Sequence, residues 1–366
     1  MRVLFYHSAR EWSGRARVFS TVARGLADRG YQVTFVCRPE SAVEQRVSQF
    51  GYEVVPVEMG DAWLWEAWRL RQVLLDRFVE VIFTHTEREH LVAAAATRLA
   101  ERGAVLRRTP AGGRLAAGSR SRLAARLATT GFLFTTQSDL QGAPPVKAAL
   151  EPVLAQIGVD ADRYDEVKTA SRQSMGLRAP GTIRVLVCVY DPSARVRAAT
   201  VLRTVALLAP HHPDLRVAMV GVGSDHEDLR MHAAALGITR IVSHLGERDD
   251  QLSVLRSADV GWVIADSDNA AYGVLDFMAL RVPVLAERGT VAQRYVADGI
   301  TGMLLPPGDA PSTAAALATF LAHEDQRQAM GNAARVRVAR DLTERAMLDG
   351  FEQAVTAARD RSRWAV

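Results

Sequence analysis

Three carboxylates stand close together in the segment DSDNAAYGVLDFMALRVP, residues 266–283: Asp266, Asp268 and Asp276. An ionised carboxylate accepts two hydrogen bonds at once, so such groups gathered in one place suit a hydroxyl-rich ligand such as a ribose diol or a sugar. Apolar runs at 260–265 and 282–286 flank the segment. Short runs of this kind, bounded by polar residues, read as strands buried on both faces of a parallel sheet. Between them the polarity predicts a loop and then one short helix that Asp276 opens. At that position Asp276 has a second use, because aspartate caps helix N-termini well. Strand, loop, helix and strand make one βαβ unit, and open α/β sheets bind ligands at the carboxyl ends of their strands.

Two other turns have phosphate-binding chemistry. A strand at 2–6 leads through Ser13 and Gly14 into a helix at 15–29, which presents free backbone N–H groups and a positive dipole end; an ordinary βα turn has the same look. A second strand runs into Gly221-Val-Gly223, a dinucleotide-type turn without its third glycine. His85 follows a strand at 79–83 and suits an acid, a base or a ligand contact, and equally a hydrogen-bonded structural residue.

Arg102, Arg107, Arg108, Arg114, Arg120, Arg122 and Arg126 fall in a stretch, 102–130, with no Asp or Glu. Such a run reads either as a solvated face or as a surface for a phosphorylated or lipid-linked acceptor or anionic headgroups, at about 1 kcal/mol per arginine. A helix predicted at 63–77 puts Leu64, Trp68 and Leu75 on one face, a stripe that ordinarily packs as core, although tryptophan beside arginine also suits a membrane interface.

The elements that position these groups are bounded by size. At 366 residues the chain exceeds one ordinary core and predicts two domains, and 48% hydrophobic with 23% charged residues excludes disorder. Cys37 and Cys188 fall in predicted strands of different halves, which predicts free thiols in a reducing, cytoplasmic setting. No stretch of 18 apolar residues occurs, and the N-terminal apolar run is too short for a signal peptide. A cytoplasmic protein is expected, with peripheral contact at the inner face of an anionic membrane as the reach of its arginines. The net charge of +4 is weak ground for nucleic acid, and no nucleic-acid motif occurs.

The segment at 266–283 resembles that of the retaining glycosyltransferases of family 4, which have the GT-B fold. Asp276-Phe-Met-Ala279 and Val282-Pro-Val284 are similar to that family's Glu-Ala-Met-Ala and Gly-x-Pro-Val, and Asp268 stands eight residues before Asp276 as the first Glu does. Tyr272-Gly273 lies nearer the second carboxylate than the family's Phe-Gly, which makes Asp266 a rival to Asp268. Elsewhere Ser13-Gly-Arg-Ala-Arg17 resembles Gly-Gly-Ala-x-Arg, Gly158-Val-Asp160 with Tyr164 resembles the interdomain Asn-Gly-Val-Asp-x-x-x-Phe, and Asp298-Gly-Ile-Thr-Gly302 opens another familiar string. Departures gather at the donor positions: Thr109-Pro110 where the family has His, Asp191 for Arg, and Val196 for Lys, flanked by Arg195 and Arg197.

The resemblance implies an α/β fold of two Rossmann-like domains, parallel sheets flanked by helices, with an acceptor domain at 1–156, a linker at 157–180, a donor domain at 181–342 and a returning helix at 343–366. It implies transfer from a nucleoside diphosphate sugar, a co-substrate, to a glycan, lipid-linked or small-molecule acceptor, without metal or other cofactor. Asp276 would hold the ribose, Asp268 or Asp266 the sugar, and Arg195 or Arg197 the departing diphosphate. Ser13, Gly14, Gly221, Gly223, Gly246, Arg248, Tyr272, Gly273, Gly289 and Thr290 would line the donor site, and His85, Arg107 and Arg108 the acceptor site. A non-catalytic relative and, more remotely, a nucleotide-sugar epimerase are the other readings; a homo-oligomer or a partner glycosyltransferase is left open.

Overall fold

The structure, a computed structural model, describes residues 1–60, 62–115, 118–144, 148–177 and 181–361. The chain divides into two units, Met1–Ile157 with Glu344–Val366, and Gly158–Thr343. Of the expected linker, residues 178–180 lie outside the described part, as do residues 362–366 of the C-terminal segment.

The first unit runs β1 (Arg2–Tyr6), α1 (Gly14–Asp28), β2 (Gln32–Cys37), α2 (Ala42–Val47), β3 (Glu53–Pro56), α3 (Trp63–Asp76), β4 (Val81–Thr84), α4 (Glu87–Ala100), β5 (Ala104–Arg108), α5 (Ser119–Leu127), β6 (Thr130–Phe134), α6 (Gln137–Gln141) and β7 (Val153–Leu154). Its strands pair in parallel in the order β3-β2-β1-β4-β5-β6-β7. Strand β1 therefore sits inside the sheet beside the central β4, and the order reverses between β1 and β4, the switch point where such sheets open a crevice. β1, β4, β5 and β6 are buried throughout or nearly so. Helix α4, EREHLVAAAATRLA, is buried from Glu89 to Thr97 and packs against both α3 and α5; its run of alanines is what allows helices to close on it from two sides.

The second unit runs β8 (Arg184–Tyr190), α7 (Arg195–Leu208), β9 (Leu215–Val220), α8 (Glu227–Ala235), β10 (Val242–Gly246), α9 (Gln251–Arg256), β11 (Val260–Ile264), α10 (Ser267–Ala279), β12 (Val284–Glu287), β13 (Gly302–Leu305), α11 (Ala310–Ala322) and α12 (Glu324–Asp341). Its parallel order is β10-β9-β8-β11-β12-β13, with the reversal between β8 and β11. The stretch from Gly158 belongs to this unit: Tyr164, Met175 and Leu177 are buried, and Arg335 of α12 donates to the Ala161 carbonyl and to Asp162 and Asp165.

The last helix, α13 (Glu344–Asp360), joins the first unit. It buries Met347, Phe351, Ala354, Val355 and Ala358, while Arg29 pairs with Asp349 and Glu352, and Arg24 with Glu344. No described helix is long and apolar enough to cross a membrane.

Three sequence readings change. Helix α10 begins at Ser267, so the expected polar loop is the helix's own start: Asp266 occupies the N-cap position and Asp268 the first turn, where carboxylates meet the positive end of the helix dipole. Asp276 consequently lies near the C-terminal end of the helix and caps nothing. The tryptophan stripe is not core, because Leu64, Trp65 and Trp68 are 62%, 56% and 45% exposed. The helical period was right; the face that packs inward is instead Glu66, Ala67, Leu70, Val73 and Leu74. Finally, Arg107 and Arg108 are not a solvated face: they lie in β5, where every residue is buried.

Candidate functional site

In the second unit the polar groups collect where the sheet order reverses. Strand β8 ends at Tyr190, and Asp191 then caps a short 3-10 turn through Ser193 N–H at 2.9 Å. Strand β11 ends at Ile264, followed by Ala265 and Asp266. The side chain of Asn269, in the first turn of α10, donates to Asp191. Arg197, from the start of α7, reaches the same edge: it pairs with Asp266 at 2.7 Å, donates to the Ala265 carbonyl at 3.2 Å and lies 3.7 Å from Glu287 at the end of β12. One guanidinium thus laces the ends of β11 and β12, and Asn269 ties the start of α10 to the end of β8. Ser267 takes a left-handed φ of 56° at the first residue of α10, and a non-glycine residue held there marks backbone strain beside this edge.

The sequence candidates fall into distinct groups around it. Arg197, Asp266 and the start of α10 come together. Arg195 points elsewhere, is 65% exposed and pairs with Asp228 of α8. Asp268 and Asp276 are each 1% exposed, and Asp276 Oδ1 accepts from the Tyr164 hydroxyl at 2.5 Å. Tyr272 is buried too, and a Cβ on Gly273 would come within 3.4 Å of Val189 and Val263 side chains, so this turn of α10 lies tight on β8 and β11.

Gly221, Gly223 and Gly246 meet at the ends of β9 and β10. Gly221 donates to the Gly246 carbonyl at 2.9 Å, and Gly246 donates to Ser224 Oγ at 3.0 Å. Gly221 is required: its φ is 122° and a Cβ would sit 2.3 Å from the Tyr190 carbonyl oxygen. Arg248 forks onto Asp250 at 2.7 and 2.8 Å, beyond this turn. After β12, the Gly289 N–H donates to Gln293 and the Thr290 hydroxyl to the Glu287 carbonyl.

In the first unit the reversal point carries a buried cluster. Glu89 of α4 accepts from Ser8 N–H and hydroxyl and from the His85 and Thr86 N–H groups, all at 2.7 to 2.9 Å. Despite burial, which opposes it, the charge of His7 and these donors hold Glu89 below the ordinary carboxylate range. His85 stacks on Phe19 with ring centroids 3.5 Å apart, and its Nε2 lies 3.0 Å from the Arg15 carbonyl. Burial, then Arg108, His7 and Arg15, hold His85 well below its usual titration range, so it is neutral at pH 7. His85 Nδ1 and both ring nitrogens of His7 lack a protein hydrogen-bond partner.

Ser13 occupies the N-cap position of α1 without a side-chain bond, and Gly14 is the buried first residue of that helix. Arg107 donates to Ser121 Oγ and Arg108 to Thr135 Oγ1, each at 3.2 Å. No cluster of three or more metal-ligating side chains occurs among the described residues.

Sequence reasoning missed Tyr164, Asn269, Glu287, His7 and Glu89 as members of these clusters. Periodicity had placed the strand ends, and the residue just beyond each strand end was the signal to follow.

Residues 13–164 match the family model described as glycosyl transferase 4-like domain, and residues 176–337 that of glycosyl transferases group 1. The D-inositol 3-phosphate glycosyltransferase of Corynebacterium jeikeium is 31% identical over 189 residues, 48% of this chain and 44% of that protein. The phosphatidyl-myo-inositol mannosyltransferase of Mycolicibacterium smegmatis is 34% identical over 151 residues, 40% of this chain and 37% of its own. The chain thus spans less than half the length of these curated relatives. Among solved structures, a glycosyltransferase from Rickettsia africae matches with a TM-score of 0.81 at 14% identity, covering 97% of both chains. Anabaena HepE in complex with UDP-glucose matches at 0.79 and 17% identity, covering 97% of this chain and 99% of that one.

Proposed function

We propose that this chain, which belongs to the family 4-like glycosyltransferases of GT-B fold, transfers a sugar from a nucleoside diphosphate sugar with retention at the anomeric carbon. The observation that carries the reading is the reversal-point edge of the second unit. There Arg197, the strained start of α10 and the Asp266 carboxylate come together at the ends of β8, β11 and β12. A guanidinium beside a helix N-terminus suits a diphosphate, and a partly exposed carboxylate beside them suits sugar hydroxyls. When the diphosphate leaves, Arg197 offsets the charge that develops on it, a role that requires no proton transfer.

The same geometry divides the work among the aspartates. Asp266, whose side chain is 38% exposed, takes the ligand-facing part, and Asp276, sealed against Tyr164, holds the frame. Arg195, already engaged with Asp228 at the surface, stays outside the donor contact. In the first unit, the neutral His85 and the unpartnered His7 nitrogens offer acceptor hydroxyls a polar wall. The relatives named above act, by their names, on inositol phosphate and phosphatidylinositol, and a polyol phosphate or its lipid is the acceptor class proposed here. A non-catalytic sugar-nucleotide binder is the second reading, favoured by the internal pairing of Arg197 and Asp276.

Calorimetric titration with UDP, GDP and ADP tests both. One of them is expected to bind, and at 100 times its dissociation constant to stabilise the fold by about 2.7 kcal/mol. Arg197→Ala is expected to weaken that binding about tenfold or more, because it removes a charge-assisted contact and leaves Asp266 and Glu287 facing the phosphates. Absence of binding by all three nucleotides rejects the donor site. Binding without transfer or hydrolysis of any matching sugar nucleotide favours the second reading.

A further inference from the structure

Asp191 stands where the family pattern has a donor-site arginine, and the groups around it suit an anion. Its Oδ1 accepts from the Ser193 N–H at 2.9 Å and from the Ser193 hydroxyl at 2.5 Å, and its Oδ2 accepts from the side-chain amide of Asn269. An arginine has no acceptor and could meet none of these donors. The local sequence points the same way, since Asp-Pro-Ser, with proline at the first position of the turn, is a strong N-cap signal. The exchange of cation for anion is therefore more than a loss of grip on phosphate.

These contacts sit between two helix starts. The 3-10 turn that Asp191 caps, Pro192–Ala194, runs without a break into α7, and Arg197 is the third residue of that helix. Asn269 is the third residue of α10. The Asp191 N–H also donates to the Ile264 carbonyl, at the end of β11, at 3.2 Å. The starts of α7 and α10 are thus joined twice, once by Asp191 with Asn269 and once by Arg197 with Asp266. One partly exposed ion pair holds a long guanidinium side chain only loosely, and a second tie between the same two helices fixes the backbone from which it reaches. We propose that Asp191 is a positioning residue, which through Asn269 sets α7 against α10 so that Arg197 and the first turn of α10 face one diphosphate together; the proposal rests on the donor site assigned above.

The carboxylate also places a negative charge beside that diphosphate, and the two effects have opposite signs. Asparagine at 191 removes the charge and keeps the brace, because its amide pairs with that of Asn269 once the latter turns over. Alanine removes both.

Calorimetric titration with UDP, GDP and ADP, run beside thermal unfolding, separates the two effects. For the nucleotide that the wild type binds, Asp191→Ala and Asn269→Ala are each expected to weaken affinity about fivefold or more, and the double variant no further than either, because both break one contact. Asp191→Asn is expected to bind as the wild type does or up to about fivefold tighter, the brace being kept and the repulsion removed. Asn269→Asp sets two carboxylates against each other and is expected to bind at least about tenfold more weakly. Adding Asp191→Asn to it exchanges amide and carboxylate across the same contact at the wild-type net charge, and is expected to recover most of that loss. Alanine variants that unfold at lower temperature but bind within about twofold of the wild type, or an exchanged pair that recovers nothing, overturn the proposal. So does an Asp191→Ala protein that binds more tightly, as a carboxylate that only repels phosphate would make it. Failure of the wild type to bind any of the three nucleotides removes the donor site itself and this brace with it, whereas each of the other adverse results removes the brace alone.

Discussion

Lowering the pH from about 7.5 to about 5.5 is expected to remove at least about 1 kcal/mol from the stability of the first unit. Two buried histidines account for it. His90 is held down to about 3, by burial first and then by Arg107, and His85 is held well below its usual range by burial and then Arg108. In the unfolded chain each titrates near 6.5 and takes up a proton as the pH falls, whereas the folded form does not; stability is therefore full above about 6.5 and declines below it. At pH 5.5 His90 contributes about 1 kcal/mol of this loss, and His85 adds to it in the same direction. For His90 the decline ends only near its folded value of about 3. His7, also lowered by burial, adds in the same direction, with the Glu89 charge partly opposing it. Glu89 itself, lowered, begins to cost stability only below the carboxylate range. Urea unfolding followed by tryptophan fluorescence is weighted toward this unit, which holds Trp12, Trp63, Trp65 and Trp68 against Trp262 of the second. His90→Leu is expected to remove about 1 kcal/mol of the acid loss. A stability that stays level across the two pH values would mean these imidazoles are charged or wet, and the acceptor wall assigned to His85 falls with it.

What the sequence showed and hid follows from what each signal encodes. The strands were legible because burial on both faces leaves continuous apolar runs. The start of α10 was not, because the residues that favour a helix's first turn, Asp, Ser and Asn, are those that populate loops. The face of α3 was legible as a period and illegible as an orientation: two stripes of the same helix are apolar, and only the packing of α4 decides which one is covered. Arg107 and Arg108 looked solvated because charge runs usually are, yet Ser121 and Thr135 supply them with partners inside. Arg197 could be seen as a phosphate contact, but its pairing with Asp266 and Glu287 joins residues far apart in sequence, which no local pattern carries.

Asp276→Ala is expected to cost about 3 kcal/mol of the second unit's stability, and Asp276→Asn to leave nucleotide affinity within about twofold. Asp276 and Tyr164 are 1% and 5% exposed, and the phenol donates to the carboxylate at 2.5 Å. Removing the carboxylate takes away the acceptor of the Tyr164 hydroxyl bond and opens a small void, and a hydrogen bond to a charged group is worth more than a neutral one. Tyr164→Phe keeps the ring in place but takes one donor from a buried charge, so it too destabilises. Because both changes break the same bond, the double variant is expected to lose less than the sum of the two, by about 1 kcal/mol or more. The asparagine variant retains an acceptor for Tyr164, so the 3-10 turn at Ala161–Tyr164 stays against α10. If Asp276 is a frame residue, the start of α10, with Asp266 and Asn269, stays where it was and the nucleotide still binds. A stable Asp276→Asn protein that no longer binds any nucleotide would instead make the carboxylate a ligand contact and Tyr164 its stand-in, and the donor site would then extend along α10 to its last turns.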